Sequence, residues 1–233
     1  NPTNTNTKGD APYYEFVVDT TPPTSTINLS VNSLTAHGDS DGDGKADHNF
    51  INDNTPTFEW TPGQDATSGI DQQWGSFSDW TPEYNDIALG GENVVSYTVH
   101  NDQSLDDGPR FFAIGTEDKT GNRDVPNANT HAAAAPHIHF YVDTVPPSSA
   151  VAALPATTNE RTFAVTWSGS DTGVGICTYD VQFREEANGE WQDWLVNTTE
   201  TSATFTGQTD YTYYFRCRAH DRAGNIESWL SGD

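Results

Sequence analysis

Apolar residues in this chain recur at every second position in short runs, and Gly, Pro, Asn and Asp break the runs apart. Phe58 and Trp60 alternate with polar neighbours, as do Val165 and Trp167, then Ile138, Phe140 and Val142. Cys177, Tyr179, Val181 and Phe183 share one parity, and so do Tyr213, Phe215, Cys217 and Ala219. A period of two places such residues on one face of a pleated strand. No long segment carries apolar residues at helical spacing, and Thr, Val, Tyr, Phe and Trp fill the alternating runs, as half-buried strands require. The pattern predicts an all-β protein.

The runs occur in the same order twice. Phe16-Val17-Val18-Asp19-Thr20-Thr21-Pro22-Pro23 returns as Phe140-Tyr141-Val142-Asp143-Thr144-Val145-Pro146-Pro147. In each copy a strand ends at Asp-Thr, and the paired prolines fix φ and remove backbone donors, making a short stiff linker. Thr57-Phe58-Glu59-Trp60 corresponds to Ala164-Val165-Thr166-Trp167, and Ser68-Gly69-Ile70 to Val174-Gly175-Ile176. Later, Asp118-Lys119-Thr120-Gly121-Asn122 corresponds to Asp221-Arg222-Ala223-Gly224-Asn225. In that turn Asp can accept from the backbone ahead, while Gly and Asn tolerate positive φ. Roughly seven short strands per repeat predict a β-sandwich. The expected division is an N-terminal tail and orphan strand over 1–20, a first sandwich over 21–145, and a second over 146–233 lacking its last strand.

Val-Asp-Thr-x-Pro-Pro linkers, an early-strand Trp, Tyr213-Tyr214-Phe215-Arg216-Cys217-Arg218-Ala219 and Asp-x-Ala-Gly-Asn resemble the tandem Ig-like or fibronectin type III-like repeats of large bacterial and archaeal surface proteins. The resemblance spans nearly the whole chain and implies an extracellular or cell-surface location. Modules of this kind serve as spacers, adhesins, filament units and accessory domains of secreted enzymes, so the likeness alone does not choose among them.

Charge narrows the choice. Asp and Glu total 34 against 10 Lys and Arg, a formal net charge of -24. Such a surface repels nucleic acid and offers no basic patch to follow phosphates. It suits hard cations instead. No apolar run is long enough to span a bilayer, and no catalytic motif for acyl, phosphoryl or metal-assisted chemistry occurs, so a non-enzymatic role is expected.

One loop has cation-binding spacing. Asp39-Ser40-Asp41-Gly42-Asp43-Gly44-Lys45-Ala46-Asp47 places carboxylates at positions one, three, five and nine, with Gly at six. Alternate residues of a tightly wound loop aim their oxygens at one centre, and the Lys45 carbonyl can add another. The loop resembles thrombospondin type 3 calcium loops more closely than EF-hands, because Phe50 stands where an EF-hand has its bidentate Glu. Asp39, Asp41, Asp43, Lys45 and Asp47 are therefore the expected calcium ligands.

Several other features carry chemistry. Facing parity of their strands predicts a Cys177–Cys217 disulfide, in keeping with an oxidising compartment. His137 and His139 share one strand face at a spacing that can hold a transition metal, but the apolar alternation places them on the solvent side. Trp74, Trp80, Trp191 and Trp194 could stack sugars if exposed, or pack as core if buried. Asn28 and Asn197 head glycosylation sequons.

Finally, each complete repeat ends in a strand running into Asp-Thr-x-Pro-Pro, and the second repeat stops before one. The chain instead opens with an unattached strand in which Tyr14, Phe16 and Val18 alternate to fill an apolar groove. Donation of that strand to another copy would add it to an exposed sheet edge and propagate head to tail. Two functions are expected on these grounds: a structural or adhesive filament subunit joined to copies of itself by donor-strand complementation, or a carbohydrate-binding or spacer module of a larger secreted hydrolase or surface repeat protein, with surface glycans as partners.

Overall fold

The computed structural model describes residues 18–31, 49–78, 87–91, 94–101, 104–124 and 137–229. These residues form strands joined by turns and fall into two compact units. The first comprises the described parts of 1–31, 57–98 and 110–138; the second comprises those of 32–56, 99–109 and 139–233.

In the first unit, β1 (Thr24–Val31), β3 (Thr57–Gln64) and β6 (Ser96–Thr98) make one antiparallel sheet. β4 (Ile70–Ser78) pairs antiparallel with β5 (Ile87–Gly90) on one side and β7 (Gly108–Asp118) on the other, and β7 turns back into the short β8 (Arg123–Asp124). The period-two residues point inward as expected. Phe58 and Phe112 are fully buried and stack with centroids 4.2 Å apart, and Trp60 leans on Phe112 at 6.3 Å. A buried indole needs an acceptor. Trp60 Nε1 donates to Gln73 Oε1 at 2.8 Å, and the buried Gln73 amide donates in turn to the carbonyls of Gly91 and Val94.

The second unit contains a sandwich of two three-stranded antiparallel sheets. β10 (Ser148–Val151), β11 (Thr162–Ser170) and β14 (Ser202–Thr206) form one, in the order β10-β11-β14. β12 (Ile176–Glu185), β13 (Gln192–Thr198) and β15 (Tyr213–Asp221) form the other, in the order β13-β12-β15. Val165, Trp167 and Phe205 from the first sheet meet Tyr179, Val181 and Ala219 from the second, and Trp194 packs edge-on against Trp167 and Phe205. After β15, Glu227 binds the sheets together: it accepts from Ser149 N and Ser149 Oγ on β10 and from Ala219 N on β15.

The same unit holds β2 (Asn49–Ile51) and the adjoining residues of β9 (His137–Val142), paired in parallel with Asn49 opposite Phe140 and Ile51 opposite Val142. Phe140 and Val142 are buried, as the alternation requires. Phe50 and Tyr141 pack on Val174 and Ala223, so the strand leading into the second linker rests on the turns of the following sandwich.

The expected disulfide is not formed; both cysteines are thiols. Strands β12 and β15 are neighbours as anticipated, and Phe183, Val181 and Tyr179 face Phe215, Cys217 and Ala219. That register sets Cys217 opposite Val181, four residues from Cys177 and so about 13 Å away along the strand. A disulfide tolerates Cα atoms only up to about 7 Å apart. A register irregularity between Ile176 and Thr178 also takes Cys177 out of the alternation. Cys217 Sγ lies 3.3 Å from Ser149 Oγ instead.

Phe205 is the ring on which this core converges, with Phe183, Trp194, Tyr213 and Phe215 centroids within 5.3 Å. Phe205→Ala is expected to lower the stability of this sandwich by about 4 kcal/mol, since a buried aromatic is replaced by a cavity. Urea denaturation followed by tryptophan fluorescence measures it; a loss below about 1 kcal/mol would contradict the packing described.

Candidate metal centres

Two triads of aspartates occupy equivalent places in the two repeats. Asp19, Asp65 and Asp118 form one, in the first unit; Asp143, Asp171 and Asp221 form the other, in the second. Within each, one carboxylate oxygen per residue lies within 4.8 Å of the others.

Each member comes from a segment whose local conformation its own side chain helps fix. Asp19 and Asp143 stand at the Asp-Thr start of the linkers, where Oδ1 accepts from the backbone N–H two residues on: Thr21 at 3.0 Å and Val145 at 3.1 Å. Asp65 and Asp171 precede the tight turn into β4 and β12. Asp65 Oδ1 accepts from Thr67, Ser68 and Gly69 N–H, and Asp171 Oδ2 from Gly173 and Gly175 N–H. Gly69 and Gly175 have φ of 77° and 83°, a conformation that favours glycine. Asp118 and Asp221 end β7 and β15 and open the Asp-x-x-Gly-Asn turns.

Those turns do more than reverse the chain. Asn122 Nδ2 donates to Asp118 Oδ2 at 2.7 Å and to the Asp19 carbonyl at 3.1 Å. Asn225 Nδ2 does the same to Asp221 Oδ2 at 2.7 Å and the Asp143 carbonyl at 2.8 Å. The Asn thus ties the linker backbone to the turn that follows β7 in the first repeat and β15 in the second. The backbone of the turn is also held: Lys119 N–H donates to the Gly69 carbonyl and Arg222 N–H to the Gly175 carbonyl. Linker, β3–β4 turn and β7–β8 turn meet at one point in the first repeat, and their counterparts meet in the second.

Electrostatics differ between the triads. Asp118 is 1 % exposed, and burial works to raise its pKa, but donors from Asn122 and Thr120 outweigh it and hold the carboxyl at about 2. In the second triad burial pushes both Asp143 and Asp221 above the ordinary carboxylate value. Hydrogen bonds from Val174 and Val145 on Asp143, and from Asn225 on Asp221, offset only part of this, and the negative charge of Asp171 adds to the rise in both. Asp143 and Asp221 are 1 % and 2 % exposed. Gly173 makes the crowding possible, because a Cβ there would sit 2.0 Å from Asp143 Oδ2. Among the described residues no salt bridge reaches any of the six aspartates. An all-oxygen, anionic donor set of this kind suits a hard cation rather than a transition metal.

Asp180 shows the contrast. Burial again works to raise its pKa, but Asn197 N–H, Arg218 and His220 together bring it below the ordinary value. Arg218 Nη2 lies 2.8 Å from Asp180 Oδ2, and His220 Nε2 lies 2.9 Å from the same oxygen. This buried acid has its cationic partner, Arg218, within the chain.

Of the residues expected to carry function, Asp39, Asp41, Asp43, Lys45 and Asp47 lie outside the described residues, as do Tyr14, Phe16 and Trp80. Val18 is 72 % exposed. The described indoles do not form an open platform. Trp194 belongs to the core, Arg123 covers Trp74 at 5.3 Å, and the Arg184 and Arg216 guanidinium groups lie 4.5 and 4.2 Å from the Trp191 ring centroid. Arg216 and Arg218 continue onto Trp229, making an alternating cation–aromatic stack across the sheet. Sequence reasoning singled out the linkers and the Asp-x-x-Gly-Asn turns as architecture and missed Asp65 and Asp171 altogether. The available signal was that both stand four residues before the Gly-Ile that opens the next strand.

No protein-family model matches the chain, and no curated protein matches it in sequence. Among solved structures it is similar to the crystal structure of chicken CNTN1 FN1-FN3 domains, at 16 % identity and a TM-score of 0.38. The match covers 87 % of this chain and 63 % of that one. The described strands define the class: an all-β protein of Ig-like, fibronectin III-like sandwich modules. No helix among the described residues is long and apolar enough to cross a membrane.

Asp180 yields a test with a definite sign. Its lowered pKa contributes stability that is present above the ordinary carboxylate value of 3.8 and is lost as pH falls through the lower folded value. Asp180→Asn should cost roughly 2 kcal/mol at pH 7, with the difference from the parent shrinking below about pH 4. Urea denaturation across pH measures this; a pH-independent difference would contradict it.

Proposed function

We propose that the chain is part of an extracellular structural or adhesive protein, in which sandwich modules follow one another in series with their linkers held rather than swinging. The observation that carries this reading is the repeated Asn lock, Asn122 on the Asp19 carbonyl and Asn225 on the Asp143 carbonyl. Two independent linkers held by the same device support a chain whose linkers are each fastened to a sandwich of their own unit. The packing of Phe50 and Tyr141 on Val174 and Ala223 supports it, since a free hinge would leave those rings in water. The covered state of Trp74, Trp191 and Trp194 favours this reading over a sugar-binding module.

In its finer form, the protein is a filament subunit that donates the strand bearing Tyr14, Phe16 and Val18 to another copy. Exposure of Val18 next to the buried Asp19 supports it, because an apolar side chain at the end of that segment is left for another surface. Deletion of residues 1–17, or Phe16→Asp, should abolish concentration-dependent assembly in sedimentation and electron microscopy, and lower the melting of the second sandwich at concentrations where the parent assembles. A parent protein that remains monomeric up to high concentration removes the filament form. The linker-lock reading is tested separately by Asn225→Ala, which should cost about 2 kcal/mol and increase proteolysis at 143–147.

A further inference from the structure

We propose that each aspartate triad, Asp19–Asp65–Asp118 and Asp143–Asp171–Asp221, is a binding site for one calcium ion that fastens the incoming linker to its sandwich. This goes beyond the acidic loop at 39–47 and is independent of whether the protein polymerises.

Clustering of acids alone would not carry it. The decisive observation is an orphaned oxygen. Asp19 is nine-tenths buried, its Oδ1 is taken by Thr21 N–H, and its Oδ2 has no hydrogen-bond partner. The second triad has its own: Asp171 Oδ2 carries both turn bonds, while Oδ1 is buried without a partner. A buried, unpartnered carboxylate oxygen is costly unless a cation meets it. Asp65 follows the same plan, with all its described bonds converging on Oδ1. In these residues the turn occupies one oxygen and the other is left over.

The donor chemistry selects the ion. Magnesium dehydrates reluctantly and keeps several waters, whereas calcium accepts many protein oxygens at about 2.3–2.6 Å. One carboxylate oxygen from each aspartate, all within 4.8 Å of one another, can reach a single calcium. Each site draws one ligand from the linker, one from the turn into the next strand and one from the Asp-x-x-Gly-Asn turn, so the ion would join segments remote in sequence.

The test uses the full chain stripped with chelator, carrying Asp41→Asn and Asp43→Asn to silence the acidic loop. Calorimetric titration with calcium chloride should then show two sites, with affinities near the 0.1–1 mM range of roughly that order typical of extracellular modules. Melting should rise on the order of 5 °C at about 10 mM calcium. Asp65→Asn and Asp171→Asn should each remove one site. An Asn in either place keeps one carbonyl oxygen for the turn and puts an uncharged amide NH2 where the left-over carboxylate oxygen stood, so the melting temperature without calcium should not fall, while the calcium-induced rise should be halved. Loss of calcium binding without loss of calcium-free stability separates a ligand from a merely structural residue. No heat and no melting shift up to about 10 mM calcium, or two sites persisting in the Asp65→Asn, Asp171→Asn double variant, would overturn the assignment. An equal response to magnesium would overturn the choice of calcium.

Discussion

A linker carbonyl that must be satisfied outside any sheet sets the constraint on which this structure turns. Asp19 and Asp143 both lie outside the strands and prolines follow each, so no ladder partner continues beyond. In both places an asparagine side chain supplies the missing donor, and the same amide donates to the aspartate that opens its turn. One side chain therefore fixes the turn and anchors the linker at once. The turn needs Gly at positive φ, 90° at Gly121 and 95° at Gly224, to bring that asparagine round. Backbone satisfaction, turn shape and linker placement are a single problem with a single solution, used twice.

The same solution concentrates negative charge. Each Asp is placed by the backbone donors of its own turn, and those donors stabilise the ionised form locally. Bringing three such turns together buries their charges against one another. In the first triad the donors prevail at Asp118; in the second, burial and Asp171 prevail at Asp143 and Asp221. Compare Asp180, equally buried, which meets Arg218 and His220. A chain with so few basic residues cannot provide such partners everywhere, and a divalent cation from outside is the economical substitute.

Among the described residues, four arginines lie over aromatic rings: Arg123, Arg184, Arg216 and Arg218. Arg184, Arg216 and Arg218 interleave with Trp191, Tyr214 and Trp229 on the face of β12 and β15 away from the core. The stack covers indoles that would otherwise lie open, and it holds the segment after β15 against the sheet. Together with Glu227 on Ser149 and Ala219, it closes the side of the sandwich without a long last strand among the described residues.

The fold was legible because period-two alternation and turn chemistry are local. Phe58, Trp60, Val165, Trp167, Phe140 and Val142 are buried where the pattern placed them, and each Gly of the Asp-x-x-Gly-Asn turns has the positive φ its residue type implies. Register is not local. The pairing sets Cys217 opposite Val181, four residues from Cys177, and so separates two cysteines that parity alone had brought together. Convergence is not local either. Asp19, Asp65 and Asp118 lie in three different segments, and nothing in their separate motifs says that their oxygens share one point. The sequence by itself determined strands, turns and the repeat, since these depend on neighbours along the chain. Only the tertiary structure decided which carboxylates meet, because that depends on how strands pair and sheets stack, through contacts that alternation permits but does not specify.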